Sequence, residues 1–186
     1  PSLVGSEMCI RDRARQQKAR EQETKERQKA DADRRAGLDP KVQEVIEAGN
    51  AYIRKIRECN DAIPGEVVSE KMSRMELLTK RIFARVEQNP EVVTDIRRLM
   101  EYYLPTAVKL LEAYEELDAQ PVQGENILSS KKEIEDTLDT LNIAFEKLLD
   151  DLFQETAWDV SSDISVLKTM LAQEGLTKND FSTGGK

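Results

Sequence analysis

Histidine is absent from this 186-residue sequence, and cysteine occurs only at Cys9 and Cys59. Without histidine the chain contains no Ser–His–Asp triad, no histidine-containing metal cluster and no Glu-x-x-His di-iron pair. Two cysteines so far apart form neither a zinc motif nor a disulfide framework, so a reducing compartment is expected. The catalytic and structural classes that depend on these residues are therefore excluded.

Long apolar runs and glycine-rich loops are also missing. No stretch approaches the 18 or so apolar residues that a membrane-spanning helix needs. Neither Gly-x-Gly-x-x-Gly nor Gly-x-x-x-x-Gly-Lys-Ser/Thr occurs, so no phosphate-cradling loop is present. Aromatic residues make up 5% of the chain and charged residues 34%. This composition, with few β-branched runs, favours helices.

The charge of the chain is unevenly distributed. Its net value is −8, yet 9 basic and only 5 acidic residues lie between Arg13 and Ala36. From Gly37 onward there are 18 basic and 29 acidic residues, a net charge of 18 − 29 = −11. Because phosphate contacts need a basic face, the acidic body argues against a nucleic-acid partner.

The first thirteen residues, PSLVGSEMCIRDR, differ in composition from the rest of the chain. They resemble the translated read-through of a sequencing adapter at the end of an open reading frame assembled from environmental DNA. The sequence also lacks an initiator methionine. We interpret residues 1–13 as an artefact and expect an N-terminal truncation; a genuine tail is the alternative.

Residues 14–37 form a polar, basic arm without any apolar residue larger than alanine. Its Ala, Gln, Glu, Arg and Lys favour a helix, but the arm has no face to bury, so it is either a solvated helix or disordered. A basic segment before an acidic domain is typical of a position next to a membrane, where anionic lipid attracts Lys and Arg. A charged linker is the alternative.

Between residues 38 and 176, apolar residues recur three and four apart in five segments that loop signals separate. This pattern predicts an all-α fold, an antiparallel bundle of about five amphipathic helices. Capping and breaking signals place these helices at about 40–59, 66–88, 91–117, 130–152 and 161–174, with a bend over 155–163. Residues 177–186 are expected to form a flexible tail.

Pro105 lies in the middle of the third predicted helix, where proline costs about 3 kcal/mol. The apolar stripe nevertheless keeps its register across the proline, at Ile96, Met100, Tyr103, Ala107, Leu111, Tyr114 and Leu117. A helix that stopped and restarted would have no reason to keep that register. We therefore predict one long helix, kinked at Pro105.

An acidic cluster is the strongest candidate for chemistry. Carboxylates three and four residues apart share a helix face and could bind Mg²⁺ or Mn²⁺, which would activate water against a phosphate ester. The candidate residues are Asp150, Asp151, Glu155, Asp159 and Asp163. The alternative is a solvated acidic face, with the neighbouring Trp158 as a core or inter-helix anchor. No cofactor is expected unless these acids are catalytic.

A second cluster is basic and aromatic. Arg97 and Arg98, beside Tyr102 and Tyr103, are candidates for binding phosphate. Tyr103 belongs to the apolar stripe, however, so packing is the competing interpretation.

Two long blocks carry a family resemblance: LMEYYLPTAVKLLEAYEELDAQPVQGENI and SKKEIEDTLDTLNIAFEKLLDDLFQETAWDVSSDISVLKTMLAQEGL. They resemble the bacterial 5-bromo-4-chloroindolyl phosphate hydrolysis (XpaC-like) family over roughly residues 38–181. The resemblance implies a helical domain that follows hydrophobic N-terminal segments, on the cytoplasmic side of the bacterial membrane. It also implies a toxic-anion-resistance (TelA-like) protein as partner. We expect the present segment itself to be soluble.

Two functional hypotheses follow from the resemblance and the residues. A third, a purely structural coiled coil, is disfavoured because loops break the stripes into five short helices without sustained heptads. The first is a non-enzymatic interaction module tethered to the membrane, with a role in envelope stress or toxic-anion resistance. The alternative is a metal-dependent phosphomonoester hydrolase acting on indolyl phosphate-type substrates, as the family name implies. No family-wide catalytic motif transfers onto numbered positions of this chain.

Overall fold

The computed structural model describes residues 4–176, and this part of the chain is α-helical with short connections and no strand. The six helices are α1 (Val4–Ala36), α2 (Pro40–Ala62), α3 (Glu66–Gln88), α4 (Leu104–Asp118), α5 (Glu125–Asp151) and α6 (Gln154–Gln173). A 3-10 segment (Pro90–Thr94) and a π-helical turn (Leu99–Tyr103) lie between α3 and α4. The all-α prediction is confirmed.

Helices α2 to α5 form a four-helix core in which α2 and α3, and likewise α4 and α5, are antiparallel, whereas α3 and α5 run parallel. Two side-chain pairs show the antiparallel direction of α2 and α3. Arg57 contacts Glu76, and Asn60, which is later on α2, contacts Ser73, which is earlier on α3. The main contacts join α2 to α3 and α4, and α5 to the same two helices. Helices α3 and α4 therefore lie at diagonal corners of the bundle, and the 3-10 segment begins the crossing between them.

Each of these four helices buries one apolar stripe, as the three-and-four spacing predicts. The largest fully buried side chains include Ile46, Ile56, Met72, Met75, Ile82, Leu111, Leu138 and Phe145. Two polar residues lie among them. The Thr79 hydroxyl donates to the Met75 carbonyl at 2.7 Å, and the Asn142 amide donates to the Lys71 carbonyl at 3.0 Å. Both bonds offset part of the cost of burying a polar group.

The helix ends follow the predicted signals in the first half of the chain. Asp39 caps α2, since its carboxylate accepts from the Lys41 amide at 2.8 Å, and α3 ends at Gln88, before Asn89 and Pro90. The second half differs. Helix α5 begins at Glu125, after an extended Gly124, so the predicted start at Ser130 is wrong. Periodicity locates a helix but not its first turn.

The chain stays helical through Pro105, as predicted. The amide of Leu104 donates to the Leu99 carbonyl, five residues back, and closes a π-helical turn directly before the proline. Such a turn contains one extra residue, so the bonding register changes where Pro105 lacks a donor. Leu99, Leu104 and Ala107 are all buried, which shows that the apolar face continues across the irregularity. The kink predicted at Pro105 therefore coincides with a π-bulge in the structure.

Helix α6 departs from the expected bundle. It begins at Gln154, so the predicted bend over 155–163 is helical, and the break falls at Leu152 and Phe153. None of its residues is buried. The stripe expected to face the core, which includes Ile164 and Leu167, is exposed, and Trp158 is not a core anchor. The four-helix core closes without α6.

The basic arm is helical, which decides between the two predicted states. Its described side chains are exposed, and it meets the bundle where Arg35 pairs with Glu87 at 2.8 Å. No helix within residues 4–176 is both long and apolar enough to cross a bilayer. The domain divisions stay predictions, and residues 1–3 and the predicted tail, residues 177–186, lie outside the described residues.

Gly49 allows α2 and α3 to approach closely, because the Phe83 ring lies where a side chain at position 49 would begin. We predict that Gly49→Ala lowers the free energy of unfolding by about 1–3 kcal/mol through overpacking. Urea unfolding measures this change. The loss should be smaller in a Phe83→Leu background, since leucine relieves the overlap. Stabilisation by about 1 kcal/mol, the helix-propensity effect alone, would contradict the packing argument.

Tyr114 is buried between α4 and α5 and donates to Glu135 at 2.8 Å. Burial, followed by the Glu135 hydrogen bond, raises the pKa of Tyr114 well above its ordinary value of 10. Above about pH 10 the unfolded chain loses this proton while the folded chain keeps it, so stability falls as pH rises. We predict that Tyr114→Phe weakens this alkaline decline in urea unfolding experiments, whereas Tyr102→Phe, at an exposed position, retains it.

Candidate functional site

One end of the bundle brings together the end of α5, the start of α6 and the last turn of α3. Arg85 on α3 connects them. Its Nε donates to the Leu152 carbonyl at 3.1 Å, and its Nη2 donates to the Thr156 hydroxyl at 3.0 Å. Its guanidinium carbon also lies 4.4 Å from the centroid of the Phe153 ring. Arg85 thus satisfies a carbonyl at a helix end and holds the α5–α6 connection.

Beside this connection lies a depression of about 230 Å³, which we call the acidic depression. Its lining residues are Glu91, Val92, Asp95, Asp151, Leu152, Gln154, Glu155 and Trp158. Four of these eight residues carry a carboxylate. Trp158 is the only tryptophan of the chain and is 65% exposed. A large exposed aromatic side chain therefore stands at the rim of a negatively charged surface.

The structure brings only part of the predicted acidic cluster into this depression. Asp151 and Glu155 line it, whereas Asp150, Asp159 and Asp163 are exposed elsewhere on α5 and α6. Asp151 also accepts from Lys147 at 3.0 Å, which offsets its charge. The catalytic role of these five residues stays a prediction.

Glu91 and Asp95 complete the depression, and sequence reasoning missed them. They lie in and next to the 3-10 segment, far from α6 in sequence, and nothing in the spacing of the acids indicates that the two segments meet. Arg85 was missed for the same reason, since its contacts are with residues 67 and 71 positions away.

The metal-binding capacity of this surface is low. Among the described residues 4–176, no three Cys, Asp or Glu side chains are arranged so that they could hold a metal ion. Mg²⁺ requires several oxygen ligands at about 2.0–2.1 Å with near-octahedral geometry. The residues here therefore do not fit the divalent metal that the hydrolase hypothesis requires.

The predicted phosphate-binding pair lies on the surface just before the π-helical turn. Arg97 donates to Glu101 at 2.8 Å, and this hydrogen bond raises the pKa of Arg97 above its ordinary value. Arg98 is exposed. Neither arginine lines the acidic depression, so the structure does not join the two predicted clusters into one site.

Cys59 has the environment of a structural residue. It is buried, and burial is the main cause that raises the pKa of its thiol. A thiol kept protonated is a weak nucleophile, since the thiolate is the reactive form. This environment argues against covalent catalysis by Cys59.

A groove of about 670 Å³ runs between α3 and α5. Two ion pairs cross it, Lys71 with Asp139 and Arg74 with Glu146. Between them Asn142 uses its amide nitrogen for the Lys71 carbonyl, while its side-chain oxygen has no partner. Because Lys71 and Arg74 are already neutralised by these carboxylates, the groove offers a ligand or partner little unpaired charge. The acidic depression is therefore the stronger candidate for a binding site.

We predict that Arg85→Met loosens α6 from the bundle. The variant keeps an apolar stem but loses both hydrogen bonds and the Phe153 contact, so amide exchange in the first turns of α6 should accelerate roughly tenfold. Hydrogen–deuterium exchange of the intact chain measures this. Arg81→Met, at an exposed position one turn earlier on α3, is the matched control. Equal exchange in both variants would contradict the anchoring role.

No curated protein and no solved structure matches the chain. The family model described as 5-bromo-4-chloroindolyl phosphate hydrolysis protein matches residues 7–167, which include the whole four-helix core, the acidic depression and most of α6. Because this match spans most of the 186 residues, the chain belongs to the 5-bromo-4-chloroindolyl phosphate hydrolysis protein family.

Proposed function

We propose that this chain is a non-enzymatic helical interaction module whose docking face is the acidic depression with Trp158. The observation that carries the proposal is the exposure of Trp158 next to four carboxylates on the bundle end. Tryptophan is enriched among the residues that dominate binding energy at protein interfaces. Exposed apolar area rimmed by charge is typical of an interaction surface.

The chemistry of this face suits a basic partner segment. A Lys or Arg side chain of the partner would stack on the Trp158 indole and pair with Glu91 or Glu155, which line the same depression. The family resemblance implies a toxic-anion-resistance (TelA-like) protein as that partner. The setting would be the cytoplasmic side of the bacterial membrane, in envelope stress or anion resistance.

The basic arm supports a position close to a membrane. The 9 basic and 5 acidic residues between Arg13 and Ala36 lie on helix α1, whose described side chains are exposed. Anionic lipid attracts each such Lys or Arg with about 1 kcal/mol. In the family, as the resemblance implies, hydrophobic segments precede this region and would supply the attachment itself.

A binding experiment tests the docking face. Trp158 fluorescence should shift to shorter wavelength when a toxic-anion-resistance protein is titrated in, and Trp158→Ala should weaken binding measured by calorimetry about 30-fold. Tyr102→Ala is the matched control, because Tyr102 is an aromatic residue of similar exposure, 64%, outside the depression. Equal affinity of the two variants, or no binding by the wild-type chain, would overturn this docking proposal.

The family description favours phosphate-ester hydrolysis as a second candidate function. The purified chain should be incubated with 5-bromo-4-chloroindolyl phosphate, with and without Mg²⁺ or Mn²⁺. Under our proposal no turnover above the protein-free blank is expected. Turnover that is lost in Asp151→Asn or Glu155→Gln would replace the non-enzymatic proposal with the hydrolase.

A further inference from the structure

Helix α6 carries a heptad pattern of apolar residues that are not buried against the rest of the described chain. Ala157, Val160, Ile164, Leu167 and Leu171 follow one another at steps of three, four, three and four residues. We call these five residues the α6 seam. Val160 is 50%, Ile164 46% and Leu167 55% exposed, whereas the equivalent stripes of α2 to α5 are buried. These steps, with a mean period of 3.5 residues, match the a/d pattern of a two-stranded coiled coil.

The contacts of α6 with the bundle leave the seam free. In heptad notation, Ala157, Ile164 and Leu171 occupy a positions, and Val160 and Leu167 occupy d positions. The α6 residues in contact with the bundle end are Glu155 and Trp158 at f and b positions and Gln154 and Thr156 at e and g positions, so none of them is an a or d residue. The bundle therefore contacts only the first turns of α6 and leaves the d and a residues Val160, Ile164 and Leu167 exposed.

The charges beside the seam indicate what covers it. Asp163 is at a g position, and Lys168, the only basic residue of α6, is at the following e position. In a parallel, in-register pair of helices, each g residue faces the e residue five positions later on the other helix. Asp163 of one copy would then meet Lys168 of the other, and symmetry repeats this pair on the opposite side.

An antiparallel pair would not use these charges. It places g opposite g and e opposite e, so Asp163 would face an uncharged g residue or the Asp163 of the other copy, and Lys168 would face an uncharged e residue or the other Lys168. Ile164 at a and Leu167 at d are also the combination that favours two strands in parallel coiled coils. We propose that the α6 seam binds a second copy of this chain and forms a short, parallel, in-register coiled coil.

The size of the seam determines what kind of dimer results. Helix α6 has 20 residues and is about 30 Å long, and its seam spans fewer than three heptads. Such an interface lies at the small end of specific protein contacts, so the dimer should dissociate on dilution. This inference uses different residues from the docking face and does not depend on it.

Sedimentation velocity of the full chain, over a dilution series from millimolar to low micromolar, tests the seam. The wild-type chain should change from dimer to monomer across this series. Leu167→Glu should raise the dissociation constant about 30-fold or more, because each copy brings a charge into the interface. Val166→Glu is the matched control, since Val166 is 58% exposed at the neighbouring c position, and it should leave dimerisation unchanged.

Charge exchange tests the orientation in the same experiment. Asp163→Lys and Lys168→Asp should each raise the dissociation constant about 5-fold, because each variant turns both symmetry-related pairs of residues 163 and 168 into like-charge pairs. The double variant should return to within about 2-fold of wild type. A wild-type chain that stays monomeric, or equal effects of Leu167→Glu and Val166→Glu, would overturn the dimer. Unchanged association in both single charge variants would overturn the parallel register.

Discussion

Burial of one apolar stripe from each of α2 to α5 is the interaction on which the rest of this structure depends. The four stripes contact one another and exclude water, which is the dominant favourable term in folding. The close approach of α2 and α3 at Gly49 and the π-bulge before Pro105 both serve this burial. Because four helices suffice to close the core, α6 remains outside it with its apolar residues exposed.

Helix α6, which lies outside the core, contributes to both proposed surfaces of this chain. Arg85 holds the first turns of α6 against the bundle end, which places Trp158 beside carboxylates from the 3-10 segment. Farther along α6, the part of the α6 seam from Val160 to Leu171 extends away from these contacts. One side of α6 thus belongs to a charged docking face, and another side offers apolar residues to a second helix.

The structure does not join the two clusters predicted for phosphate chemistry into one site. Asp151 and Glu155 share a depression with Glu91 and Asp95, but the described residues contain no ligand set arranged for a metal ion. Arg97 is paired with Glu101 outside that depression. The family description names indolyl phosphate hydrolysis, and under the interaction proposal that hydrolysis would be an indirect effect of binding.

The sequence by itself determined the helical class, the continuation of the helix through Pro105, the capping of α2 by Asp39 and the family, because these depend on local periodicity and capping or on long contiguous blocks. Only the tertiary structure decided that α6 lies outside the core. An apolar stripe shows that a helix has a face to bury, but it does not show whether the partner belongs to the same chain. The positions of Glu91 and Trp158 in one depression, and the contact of Arg85 with Thr156, were likewise decided by packing, since contacts between distant segments leave no periodic signal.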